Sequence, residues 1–173
     1  MNILVISCSL SPSSRSRLLA NQAAQVFESL GASVSVIDLR DHPLPMCDGE
    51  DCDPDMLAPL RRALEPADAV VMAVPIYNYD VNAAAKNLVE LTGSAWKGKT
   101  VAFLCAAGGH GSYMSVMSLA NSLMLDFRCL IVPRFVYATG ADFDGETIQS
   151  AKIISRVQEL CQETARIAGA LAG

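Results

Sequence analysis

No run in the sequence approaches the roughly 20 consecutive apolar residues that a membrane-spanning helix needs, so a transmembrane protein is not expected. Charge is scarce as well: Asp, Glu, Lys and Arg make up 18% of the chain against 51% hydrophobic residues. With a mean hydropathy of +0.31, that balance is too apolar for a disordered polypeptide. Basic residues are outnumbered, thirteen against eighteen acidic, giving a net charge of −5. This excludes bulk electrostatic attraction to nucleic acid or anionic lipid. No basic leader precedes the apolar start Met1 to Cys8, so a secretory signal is not expected and the expected location is cytoplasmic. Low-complexity tracts and repeats of 20 to 50 residues are missing too, which excludes a solenoid.

Metal-ligand spacing is also lacking. Six cysteines are spread along the chain, and only Cys47 and Cys52 lie close, without a second pair; reduced free thiols are expected, not zinc or disulfides. Asp51, Asp53 and Asp55 alternate as a calcium loop begins, but Met56 and Arg62 stand where such a loop needs Gly and Glu, so no metal site is expected. The 173 residues leave room for a single domain, residues 1–173, large enough to bury a core without staples.

What is present is alternation. Residues 2–8, 33–38, 68–75, 99–106 and 128–133 read as five strands, several of them apolar on both faces, as parallel strands covered on two sides require. Helical periodicity occupies about 15–30, 55–65, 82–93 and 112–126, with a last helix from about 145 to 171. Gly31 and Gly93 fall at helix ends, and Asn82 at a helix start. In the last helix, Ile153, Val157, Leu160, Cys161, Thr164 and Ala168 share one face. Right-handed crossovers then give an α/β, doubly wound, five-stranded parallel sheet with helices on both faces, most simply in the flavodoxin order 2-1-3-4-5. Such sheets bind ligands beyond the strand C-termini.

The loop after the first strand, Ser9 to Arg17, is rich in serine, and Arg15 and Arg17 are the only charged side chains before Glu28. Hydroxyls and free N–H groups at a helix start form an anion site. Neither GxxxxGK[ST] nor GxGxxG is present, which leaves a mononucleotide phosphate. A rival is a cysteine phosphatase or arsenate reductase, which would use Cys-x5-Arg; here Cys8 and Arg15 are separated by one residue more. After the third strand, Pro75, Ile76, Tyr77, Asn78 and Tyr79 bring rings and backbone donors to the ligand edge, suiting a flat heterocycle. After the fourth, Gly108, Gly109 and Gly111 let backbone approach a ligand ring. His110 reads as an exposed loop residue. No residue is assigned an acid-base role.

These blocks, the SLSPSSRS loop, the P-x-Y-N segment followed by Lys86-Asn87, and the GGHG turn, resemble the NAD(P)H-dependent FMN reductase family of the flavodoxin-like superfamily, over about Ile3 to Phe127. The resemblance implies an oxidoreductase that takes hydride from NADPH or NADH onto FMN and passes electrons to a small-molecule acceptor. It implies that Ser9, Ser14, Arg15 and Ser16 hold the FMN phosphate. It further implies that Pro75 to Asn78 border the isoalloxazine and that Gly108, Gly109 and Gly111 lie on its pyrimidine side, the backbone near Asn78 and Tyr79 facing the reactive N5 edge. Many members carry Gly at the position of Cys8 and Glu at that of Ile76. The alternative from a different class is a non-catalytic flavodoxin-like electron carrier or ligand-sensing module. The 112–126 helix is apolar around most of its circumference, which predicts a homo-oligomer, a homodimer in the simplest case.

Overall fold

Strands apolar on both faces demand cover on both faces, and the computed structural model of the chain, which describes residues 1–50 and 54–171, supplies it. The order of elements is β1 (Asn2–Ser7), α1 (Arg15–Ser29), β2 (Ser33–Asp38), α2 (Pro54–Leu64), β3 (Ala69–Tyr77), β4 (Asp80–Val81), α3 (Ala83–Thr92), β5 (Thr100–Ala107), α4 (Met117–Phe127), β6 (Leu130–Ile131), β7 (Val136–Thr139), β8 (Phe143–Asp144), β9 (Thr147–Ile148) and α5 (Ala151–Leu171). Strands β2, β1, β3, β5 and β6 pair in that order, all parallel, and β7 also pairs with β5. Counting β6 and β7 as one interrupted strand, this is the expected 2-1-3-4-5 sheet. Cys52 and the Asp51 and Asp53 of the acidic stretch lie outside the described residues; the other five cysteines are free thiols.

Strand alternation divides the core in two. Leu4, Ile6, Val70, Met72, Val74, Val101 and Phe103 join the cluster that takes in Leu60, Leu88 and Leu123 from α2, α3 and α4. Their neighbours Ile3, Val5, Ala69, Ala73, Ala102 and Leu104 pack on the other face with Leu19, Ala23 and Phe27 of α1 and Val157 and Leu160 of α5. Alanines at three of those six sheet positions let α1 and α5 come close to the strands. The buried residues of α5 are the six read from its periodicity.

Three boundaries differ from the sequence reading. The fifth strand does not end at Pro133 but resumes as β7. Between the pairs Val101↔Ile131 and Leu104↔Val136, two residues of β5 face four of its neighbour; Pro133 has no N–H to continue a ladder, and Arg134 turns left-handed at φ 60°. The last helix begins at Ala151, not near 145, because residues 143–148 form the β8–β9 hairpin with Gly145 at φ 54°. The 112–126 helix is shorter, with a 3-10 turn at His110–Ser112 and α4 starting at Met117.

Candidate functional site

At the C-terminal edge of the sheet, the ends of β1, β3 and β5 and the β8–β9 hairpin enclose a cleft of about 760 Å³, within the size range of cofactor sites. Ser9, Ser14, Arg15 and Ser16 line it from one side, Pro75, Ile76, Tyr77 and Asn78 from another, and Gly108 from a third. Of the residues read from the sequence, Tyr79, Gly109 and Gly111 stand beside this lining and do not form part of it. Ser11, Ser13, Arg17, Gly145 and Glu146 line it without having been singled out. The turn signal Asp144-Gly145 was legible; its return to the cleft depends on the tertiary fold.

The first loop is built as a helix cap. The Ser14 hydroxyl accepts the Arg17 N–H at 3.1 Å and lies 3.0 Å from the Ser16 hydroxyl, while Ser9 Oγ accepts the Ser11 N–H at 3.2 Å. No acidic residue occupies the first turn of α1, so its positive end is uncompensated. Asn82 starts α3 as expected, but its side chain does not cap that helix. Instead its Nδ2 donates to the Cys8 carbonyl at 2.7 Å, and its own N–H donates to the Pro75 carbonyl at 3.2 Å. One residue thereby ties the serine loop to the end of β3.

The Pro75–Asp80 segment is a hairpin. Ile76 and Tyr77 pair back with Val81 and Asp80, and the two central residues, Asn78 and Tyr79, both take positive φ, 52° and 64°. That is the two-residue turn whose twist suits a hairpin. It leaves both tyrosine rings exposed. The turn is fastened to α4 by the Ser118 hydroxyl, which donates to Asp80 Oδ1 at 2.6 Å. Across the cleft, a Cβ built on Gly108 or Gly109 would meet no protein atom within 4 Å, whereas one on Gly111 would stand 3.3 Å from the Tyr79 hydroxyl.

Charge at the site is mixed. Arg15 lines the cleft with its guanidinium carbon 5.8 Å above the Phe143 ring. Glu146 lines the same cleft, whereas the first 27 residues contain no acidic side chain. Partial burial would push the Asp38 carboxyl up, but hydrogen bonds from Arg40 and the charges of Arg40 and Arg17 outweigh this and hold it low.

Cys8 removes the phosphatase reading. Its side chain is fully buried among Leu4, Ile6 and the rest of that core, and burial, with the Asp38 charge second, pushes its thiol far above the ordinary range. A nucleophile must be a thiolate open to the substrate; Cys8 is neither. His110 is exposed on the glycine turn, as read. Among the described residues no group of three or more His, Cys, Asp or Glu is placed to hold a metal ion, and no helix is long and apolar enough to cross a membrane.

Fold and site together define a flavodoxin-like α/β protein whose serine-lined helix start opens on a cleft walled by a tyrosine hairpin and a glycine turn. Residues 1–144 match the family described as NADPH-dependent FMN reductase, and the chain belongs to that family. It is 28% identical over 156 residues to an NADPH azoreductase of a Bacillus species, covering 88% of this chain and 85% of that one. It is also 28% identical over 149 residues to an FMN reductase (NADPH) of Pseudomonas aeruginosa, with 84% and 80% covered. Among solved structures, the flavoenzyme NAD(P)H:(acceptor) oxidoreductase FerB of Paracoccus denitrificans superposes with a TM-score of 0.79 over 98% of this chain and 97% of that one, at 18% identity.

Proposed function

We propose that this chain is an FMN-dependent NAD(P)H oxidoreductase, a single cytoplasmic domain that works as a homodimer and delivers electrons to a small acceptor such as a quinone, an azo compound or free flavin. The observation that carries the reading is the convergence, in one cleft of a family member, of the α1 serines, the Pro75–Tyr79 hairpin and the Gly108 turn. The donor set fits FMN. Hydroxyls and N–H groups at a helix start suit a phosphate dianion, and a cleft bounded by a flat turn and bare glycine backbone suits a planar ring.

Bound there, FMN supplies a ring that accepts hydride from the nicotinamide and hands electrons on. The protein's own contribution is positioning. Ser9, Ser14, Ser16 and Arg15 hold the phosphate; Pro75, Ile76 and Tyr77 border the ring; the backbone at Asn78 and Tyr79 faces its reactive edge; and Gly108, Gly109 and Gly111 admit its pyrimidine side. No side chain is required to move a proton. A carrier with the same fold would not need nicotinamide access, and the relatives' reductase names favour the enzyme. The test is to record the visible spectrum and FMN affinity of the purified protein, then NAD(P)H oxidation with FMN and a quinone. Flavin binding with steady turnover is the expected result; binding without turnover would make it a carrier, and no binding would end the reading.

A further inference from the structure

The glycine turn that begins at Gly108 borders the cleft. Gly108, Gly109 and Gly111 contribute no side chain, and glycine loses the most conformational freedom on ordering. Gly108 to Gly111 are exposed. A turn of this composition needs to be held from outside if it is to present a fixed surface to a ring.

The holding group is Tyr137, in the resumed part of the fifth strand. It is paired with Cys105, two residues before the end of β5, so its phenol lies under the turn. Only 9% of the residue is exposed, and a phenol so enclosed normally finds a partner. Tyr137 Oη donates to the Gly109 carbonyl at 2.8 Å and lies 2.6 Å from the Ser112 hydroxyl. Each oxygen carries one proton. Since the phenol's is given to Gly109, Ser112 donates to Tyr137, and the chain Ser112 to Tyr137 to Gly109 runs in one direction. The two bonds clamp both ends of the turn. The ring itself is held by the Tyr113 ring, 5.3 Å away, which also meets Phe135 at 4.9 Å.

The clamp also orients the backbone. In a trans peptide the N–H points opposite the preceding C=O, and there are no cis peptide bonds among the described residues. Holding the Gly109 carbonyl on Tyr137 therefore turns the His110 N–H to the side away from the phenol.

We propose that Tyr137 is a positioning residue for the ring end of the cleft, its hydroxyl fixing the 108–112 turn in the shape that receives the flavin. This rests on the FMN reading above. It predicts a loss specific to the ring: with the turn freed, its ordering cost falls on binding, and this cost is the same whether or not the ligand carries a phosphate.

The test compares apo wild type, Tyr137→Phe, Ser112→Ala, the double variant and Ser16→Ala by fluorescence titration with FMN and with riboflavin, alongside thermal melting of each apoprotein. Tyr137→Phe should weaken FMN and riboflavin equally, by about three- to tenfold, the scale of one hydrogen bond. Its apoprotein should melt within a few degrees of wild type, because the ring stays in place. The double variant should bind about as Tyr137→Phe does, since both hydroxyls belong to one chain, whereas Ser16→Ala should weaken FMN and spare riboflavin. Unchanged flavin affinity in Tyr137→Phe, or a loss confined to FMN, would overturn the inference while leaving the flavin site standing. If the apoprotein of Tyr137→Phe unfolds, Ser112→Ala decides by the same two ligands. Failure of wild type to bind either flavin would instead remove the functional reading, and this inference with it.

Discussion

Cys8 and Glu146 carry opposite messages, one buried beneath the serine loop and the other lining the cleft. Cys8 precedes the serine loop, yet its thiol belongs to the core. Cys8→Ala should therefore keep its NADPH oxidation rate and lose about 1 kcal/mol of stability from the vacated volume. Loss of activity in a folded variant, measured with FMN and a quinone present, would return the thiol to consideration. Glu146 is exposed and lines the same cleft as the α1 serines, so its charge would oppose the phosphate of the proposed FMN. Glu146→Gln should tighten FMN about two- to threefold at low ionic strength, an effect of the size exposed charge pairs show. The gain should fade in high salt and be missing for riboflavin. Serines clustered at a helix start announce themselves in sequence because their chemistry is local. Glu146 did not, because more than a hundred residues separate it from the loop with which it shares the cleft.

At the scale of elements, the strained hairpin and the interrupted strand were the parts least legible. Hydrophobic runs set by burial on both faces gave away β1, β3 and β5, alternation gave away the edge strand β2, and helical periodicity gave the buried stripe of α5 residue by residue. The two-residue strands β4, β8 and β9 have no periodicity to read; turns hold them, and Pro133 reads as a strand end when it is only a pause. In the β3–β4 turn, Tyr79 is 73% exposed at φ 64°, a conformation that costs a non-glycine residue about 1–3 kcal/mol. Tyr79→Gly should raise the apoprotein melting temperature by about 2–4 °C and at the same time weaken flavin binding, because it gives up a ring at the cleft's edge. A gain in stability with no loss in binding would show that the ring is idle. Where β7 ends, Asp142 accepts from the Thr139 N–H at 2.7 Å and the Thr139 hydroxyl at 3.0 Å. Partial burial pushes this carboxyl up, but these bonds, one from Ser150 and the charge of His110 more than offset it, so its pKa lies below the ordinary 3.8. A depressed carboxylate pKa stabilises the fold above the unfolded value and stops doing so as pH falls through the folded one. Asp142→Asn should accordingly melt below wild type at pH 7, by an amount corresponding to about 1 kcal/mol for a lost cap, and the difference should close in melts taken progressively below pH 4.

Over the whole molecule, five of the exposed large apolar side chains are grouped on α4 and its lead-in. The side of α4 and its lead-in that faces the sheet buries Val116, Leu119, Ala120 and Leu123, but Tyr113, Met114, Met117, Met124 and Leu125 remain exposed, Met114 at 61% and Leu125 at 76%. Exposed Tyr79 adjoins this surface, since its hydroxyl approaches Gly111 and its hairpin is bonded to α4 through Ser118. A contiguous apolar face of this kind on a chain with net charge −5 is a place for association, and a second copy, bearing the same face, is the self-complementary partner that two-fold symmetry provides. The proposed homodimer should sediment as such at micromolar concentration. Leu125→Glu with Met114→Lys should shift it to monomer while the apoprotein retains its circular dichroism, since neither side chain is part of either core. Should the dimer use this face, flavin affinity will fall on dissociation as well, through the Asp80–Ser118 link between α4 and the hairpin. A wild-type chain that runs as a monomer, or a double variant that stays dimeric, would move the interface elsewhere or remove it, and would leave the apolar face of α4 without a partner.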